Sequence, residues 1–369
     1  MLDPRVARAK PQRIDVVDWL RGVAVVLMIL AHGMDAWLLP SAKSGAVYAV
    51  IRVASGIPAR LFLLLVGISA AIQFESGLAK NVDGAVMRAR LVRRGIQVLL
   101  LAYLFRLQEW LLSRFYGGWE SLVRVDILNA IALSIIVVAL VATPRQGRRQ
   151  FVPALALATL FLSLGCTIGP AHFPEWLPRP ITSYFGGQRP MAWFPLFPWG
   201  AWALTGVAVG HAWLLASRSE TGLHRAFTLT FVVGAILVFA VQVIRAVDPT
   251  IIRYPSEVVM QMGPGTFFHR LGLIGVIAGI GFGWCRLLHN RFSVVRQLGR
   301  TSLLVYWVHI EFCYGSFVYR LRSHLPLAGA AVGVAMLTAA MLGLSLAKTH
   351  YGPLAVDWLR ARFRSARPA

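Results

Sequence analysis

RIDVVDWLRGVAVVLMILAHGMDAWLL, residues Arg13 to Leu39, opens with two acids and an arginine and then runs apolar for the length of a membrane crossing. A histidine and an aspartate, His32 and Asp35, interrupt its far half. Ionisable side chains inside a membrane helix are costly to keep, so these two mark a candidate site.

Working outward, the same kind of segment recurs along all 369 residues. Hydrophobic residues make up 57% of the chain and charged ones 14%, and the mean hydropathy is +0.64, too apolar for a soluble globule. The sequence therefore predicts an all-α, polytopic membrane bundle. Apolar windows run from Val16 to Leu39, Pro58 to Phe74, Gly95 to Leu112, Ile127 to Val141 and Phe151 to Gly165, then from Phe194 to Leu215, Ala226 to Val247, Thr266 to Leu288, Ser302 to Tyr319 and Leu327 to Ala347. That is about ten transmembrane helices. With the N-terminus inside, the inner segments hold more than twice as many Lys and Arg as the outer ones, which favours both termini in the cytoplasm. The chain is expected as a single membrane domain over 1–369, with residues 1–15 and the basic tail 348–369 on the cytoplasmic side. The first window lacks a small-residue cleavage pattern and is expected as a retained helix.

A net charge of +22 in a soluble protein would suggest nucleic acid. Here the arginines sit in short gaps between apolar runs, as topology signals do, so no nucleic-acid partner is expected. The three cysteines, Cys166, Cys285 and Cys313, are too far apart for a CxxC site. With no HExxH, GxSxG or glycosidase-like acid pair, no metal is expected. Two outer segments are long enough to be structured: Tyr48 to Ile57 as an interfacial helix, and Thr167 to Trp193 as a folded loop rich in Pro, Gly and aromatics.

Most intramembrane polar residues fall in the outer half of this topology: His32 and Asp35; Arg106, Gln108 and Glu109; Asp126 and Asn129; Arg245; His269 and Arg270; His309 and Glu311. Charges so placed face a protein interior or an aqueous cavity, which implies an outward-opening polar pocket. Spacing of three puts His32 and Asp35 on one helical face. A carboxylate bonded to one imidazole nitrogen raises the basicity of the other, as a general base needs. The plainer reading is an interhelical hydrogen bond. His309 is a mid-membrane histidine that points away from Glu311 on its own helix. Asp18 and Arg21, also three apart, form either a local ion pair at the helix start or a gate for an anionic donor. Arg93 and Arg94 in the inner loop, and Arg300 in the stretch from Arg286, could hold the phosphates of a cytosolic coenzyme, although no Walker-type or GxGxxG loop accompanies them. The run FPLFPWGAW, Phe194 to Trp202, reads as a kinked helix start or a lid.

Taken together, five segments resemble a family. DVVDWLRGVAVVLMILAHGMD, IPARLFLLLVGISAAI (Ile57 to Ile72), RVDILNAIALS (Arg124 to Ser134), FPLFPWGAWALTGVAVG (Phe194 to Gly210) and LGRTSLLVYWVH (Leu298 to His309) follow the order seen in the heparan-α-glucosaminide N-acetyltransferase-like membrane proteins and their bacterial relatives. The resemblance implies a bacterial inner-membrane acyltransferase that takes an acyl, in the first place acetyl, group from cytosolic acetyl-CoA and delivers it to a hydroxyl or amine of a cell-envelope carbohydrate or glycolipid. It further implies that His32 is the general base or acyl relay, with Asp35 its orienter. Arg21 would be a donor-side residue, and Arg270 or Arg245 would stabilise the oxyanion. The chain departs from the heparan enzymes where they carry asparagine at the His32 position and a catalytic histidine in the following loop; here Pro40 to Ala46 contains none. Bacterial O-acetyltransferases use a first-helix histidine much as here. A homodimer is compatible with this class. The competing reading is a proton-coupled transporter or flippase for a sugar or anionic lipid.

Overall fold

The structure, a computed structural model, describes residues 15–113, 118–141, 151–168, 172–187, 191–247, 263–288 and 291–365. The expected basic segment before residue 15, the inner loop at Arg145 to Arg149, and Arg114, Arg189, Arg253 and Arg367 lie outside these residues. Within them the secondary structure is helical, with only isolated β-bridges. The helices are α1 (Asp15–Trp37), α2 (Gly45–Ser55), α3 (Pro58–Ala79), α4 (Gly84–Leu112), α5 (Ile127–Val141), α6 (Phe151–Thr167), α7 (Arg179–Gly186), α8 (Leu196–Ala216), α9 (Glu220–Val247), α10 (Pro264–Leu287), α11 (Val294–Arg300), α12 (Ser302–Tyr314) and α13 (Leu327–Ser365).

Every apolar window of the sequence falls on a helix. Six described stretches are long and apolar enough to cross a membrane: Asp15–Trp37, Gly45–Ala79, Gly84–Leu112, Glu220–Val247, Pro264–Leu287 and Leu327–Leu354. The chain is thus an all-α, multi-pass membrane protein. The helix expected from Tyr48 to Ile57 falls on α2, Gly45–Ser55, which buries none of its residues. Two windows differ from expectation. The one from Ser302 to Tyr319 is helical only to Tyr314, where Gly315 turns the backbone to extended angles and a 3-10 segment, Ser316–Leu321, follows. The last helix continues past Ala347 to Ser365. Hydropathy falls at Lys348, yet the helix continues with Pro353 inside it, so the end of apolarity is not the end of the helix.

The backbone groups into two compact units, one drawn mainly from residues 59–284 and the other from 17–58 and 285–365. In the first, α8 is buried on nearly all sides, as its small and apolar composition requires. Its start is kinked where Phe197 leaves helical angles, the outcome expected for the two prolines of FPLFPWGAW. Aromatic rings bind α8 to its neighbours: Trp202 lies 4.3 Å from Phe267 of α10, and Trp213 lies 4.5 Å from Phe227 of α9, which stacks at 4.4 Å on Phe282 of α10. The expected folded loop contains α7 and joins the start of α5 through a parallel bridge between Val125 and Ala192.

In the second unit, α1 and α11 touch backbone to backbone. A side chain at Gly22 would collide with the carbonyl of Val295, and one at Gly299 with the carbonyl of Asp18. Only glycine permits this approach, the small-residue device of membrane helix pairs. At the opposite end the chain leaving α1 pairs with residues 323–325: Ser323 N–H donates to the Ala36 carbonyl, Leu325 N–H to that of Trp37, and Leu39 N–H to that of Leu325, each at 2.9 Å.

Candidate active site

Both ends of the 17–58 and 285–365 unit meet at two histidines. His32, about three-quarters of the way along α1, and His309 of α12 have nearly parallel rings, 10° apart with centroids at 5.1 Å. Nδ1 of His32 lies 2.9 Å from Nε2 of His309, and Nδ1 of His309 lies 2.8 Å from the carbonyl oxygen of Val305. These contacts order the protons. A carbonyl only accepts, so His309 Nδ1 carries hydrogen. In the neutral ring its Nε2 is then the acceptor, and the proton in the bond between the rings belongs to Nδ1 of His32. Nε2 of His32 is left with its lone pair and no partner among the described residues. His309 is fully buried, so its orientation is fixed by packing as well as by the carbonyl. Tyr306 approaches it edge-on at 5.9 Å.

The expected contact between His32 and Asp35 is not formed. The Asp35 carboxylate accepts from the Tyr314 hydroxyl at 2.8 Å and faces Nζ of Lys43 at 3.6 Å, while that ammonium donates to the Asp35 backbone oxygen at 2.7 Å. Three residues along a helix turn a side chain by about 60° and carry it roughly 4.5 Å onward, which here delivers the short carboxylate to the chain leaving α1. Tyr314 also approaches the edge of the His32 ring, at 5.8 Å. The ring bonded to His32 is therefore His309, and the Asp35 carboxylate is engaged with Tyr314 and Lys43 instead.

The remaining candidates divide. Arg21 donates to Asp18 at 2.9 Å, the local ion pair that their spacing allowed. Arg300, at the end of α11, is exposed, as are Arg93 and Arg94 on α4 of the other unit. Arg270, on α10 of that unit, shares its electrostatic surroundings with Arg60 and Arg245; the Arg60 guanidinium lies 4.9 Å from the centre of the Trp199 ring. Also in that unit, buried Arg106 pairs with Glu109 at 2.5 Å and with Asp126. Asn129 bonds the Asp126 N–H and the Tyr184 hydroxyl, and Tyr184 meets Tyr103 at 2.5 Å. Burial and the Tyr103 hydroxyl push the Tyr184 phenol above its ordinary range. The Arg106 group thus forms a closed network.

Sequence reasoning named His309 but not its partner, and it missed Tyr314, Lys43 and the Val305 carbonyl. It also missed a polar set deeper in this unit, Gln297, Thr301, Ser345 and Thr349. The available signal was spacing: Gln297, Thr301, Val305 and His309 recur every four residues.

The family model described as heparan-alpha-glucosaminide N-acetyltransferase, catalytic, matches residues 13–244, well over half of the chain. The protein belongs to this family of membrane acetyltransferases. The matched segment includes His32 and Asp35 but stops before His309. No curated protein matches the chain.

Proposed function

We propose that the protein transfers an acetyl group from cytosolic acetyl-CoA to a hydroxyl or amine of a cell-envelope carbohydrate or glycolipid, in a bacterial inner membrane, with His32 as general base. The observation that carries this reading is the ordered chain from the Val305 carbonyl through His309 to His32. It leaves an unprotonated Nε2 on the first-helix histidine without spending a carboxylate.

His32 Nε2 accepts the proton of the acceptor hydroxyl or amine as that group attacks. The imidazolium so formed donates more strongly through Nδ1 to His309 Nε2, a charge-assisted bond that stabilises it. The same Nε2 then returns the proton to the departing thiolate, so the proton count closes. Acetyl-CoA, when bound, supplies the activated thioester carbonyl. In the unit that holds His32, the exposed Arg300 suits its phosphates. Arg21 suits them less, being held by Asp18, and Asp18 itself repels an anion. A homodimer is part of the same proposal.

The test is thiol release from acetyl-CoA by purified protein in nanodiscs, with a panel of sugars and amino sugars, for wild type and His32→Ala. Release that needs both the acceptor and His32 is expected. No release, together with no acetyl-CoA binding by calorimetry, would overturn the reading in favour of transport.

A further inference from the structure

Four buried polar side chains lie in the unit formed by 17–58 and 285–365 among the described residues: Gln297, Thr301 and Ser345 besides His309. All belong to one column. Gln297, Thr301, Val305 and His309 follow one another at four-residue intervals along α11 and α12. Gln297 Nε2 donates to the Ser345 carbonyl at 3.1 Å, and it reaches the hydroxyls of Ser345 and Thr349 at 3.0 Å each. The Thr301 hydroxyl donates to Ser345 Oγ at 2.6 Å, and Ser345 returns a bond to the Gln297 carbonyl at 3.1 Å. Above this knot, Val305 N–H donates to the Thr301 carbonyl at 3.1 Å, and the Val305 carbonyl receives His309.

Thr301 is also where the rod is interrupted, with φ −116° and ψ 21° between α11 and α12. A break frees the second segment to slide or turn against its neighbours. His309 lies eight residues beyond it, on the order of 12 Å along the helix, and a slip of one residue would swing it by about 100°. Apolar contacts tolerate such a slip, whereas a buried polar set with every partner in place does not.

We propose that Gln297, Thr301, Ser345 and Thr349 are positioning residues: their knot fixes the register of α12 against α13 and so brings His309 Nε2 to His32 Nδ1. The catalytic consequence rests on His32 being the base; the positioning does not.

The experiment is ¹⁵N spectroscopy of the full-length, ¹⁵N-histidine-labelled protein in nanodiscs, with the two rings assigned through His32→Gln and His309→Gln. Wild type should show the nitrogen–nitrogen coupling of the bond between the rings. Thr301→Val, which keeps shape but removes the hydroxyl, should lose that coupling while the protein stays folded by circular dichroism; Thr301→Ser should restore it. Thr349→Val, at the exposed end of the knot, gives the same readout should Thr301→Val not fold. In turnover, Thr301→Val should lower kcat about tenfold or more with KM for acetyl-CoA unchanged, as misplacement of a catalytic group does. Coupling retained in Thr301→Val, or in Thr349→Val where that variant stands in, would overturn the proposal. Coupling lost while turnover does not depend on His32 would leave the positioning intact and sink the catalytic assignment instead.

Discussion

His309 stands to His32 as a buried carboxylate stands to a histidine base elsewhere: it accepts the Nδ1 proton, at 2.9 Å, and is itself held by the Val305 carbonyl. The difference is charge. A neutral acceptor avoids the penalty of an anion inside a membrane bundle, and it still fixes which nitrogen of His32 carries the proton.

Removing the base should remove the chemistry and little else. His32→Ala is expected to lower turnover by about 10²- to 10⁴-fold, the span of a lost general base, with an elution profile in detergent unchanged from wild type. Turnover within threefold of wild type, roughly 0.7 kcal/mol by the rate relation, would exclude His32 from the reaction.

Because the two histidines act as one unit, their losses should not add. His309→Ala should cost about 10- to 100-fold, and the double variant should be no slower than His32→Ala alone. Additive losses, measured as kcat in a double-mutant cycle, would mean that His309 works independently.

Asp35 should matter far less than its position in the sequence suggests. Its carboxylate serves Tyr314 and Lys43, so Asp35→Asn should keep turnover within about tenfold and shift the thermal midpoint in common with Tyr314→Phe, since the two share one hydrogen bond. Abolished turnover with an unchanged midpoint would return the acid to the chemistry.

The close crossing of α1 and α11 should be intolerant of any side chain. Gly22→Val or Gly299→Val must displace backbone, an overpacking cost of at least about 1–3 kcal/mol. Gly283→Ala, whose added carbon would meet open space, is the control. Thermal unfolding in nanodiscs compares them, and equal midpoints would contradict the packing.

Arg106 should be structural. Arg106→Leu takes the cation from part-buried Asp126, a loss of about 1–3 kcal/mol, whereas joint replacement of Arg106 with Leu and of Asp126 and Glu109 with their amides should recover much of it. A single variant as stable as wild type, by the same unfolding assay, would show that the pair carries no weight.

The helices were legible because hydropathy over a span is a sum over many residues, and each window from Val16 onward falls on a helix even where the ends differ. The partner of His32 was not legible. Periodicity relates neighbours on one helix, so it offered Asp35, three residues away; His309 is 277 residues distant, and only packing of α1 on α12 creates the pair. The break at Thr301 escaped for a related reason: Gln297 to Thr301 reads as polar residues before an apolar run, and its role depends on Ser345, which reads as an ordinary small residue of the last span. Arg106 was recognised as costly, but its two acids close on it rather than leaving it to line a pocket.

The distance between the two histidines along the chain also sets an order of events in biosynthesis. At roughly 5–20 residues per second of translation, the 277 residues from His32 to His309 occupy tens of seconds, during which α1 is already made while its imidazole has no ring to bond. The pairing of Ala36, Trp37 and Leu39 with Ser323 and Leu325 closes only when that later segment emerges. A chain terminated anywhere before α12 therefore carries His32 without the ring that accepts its Nδ1 proton.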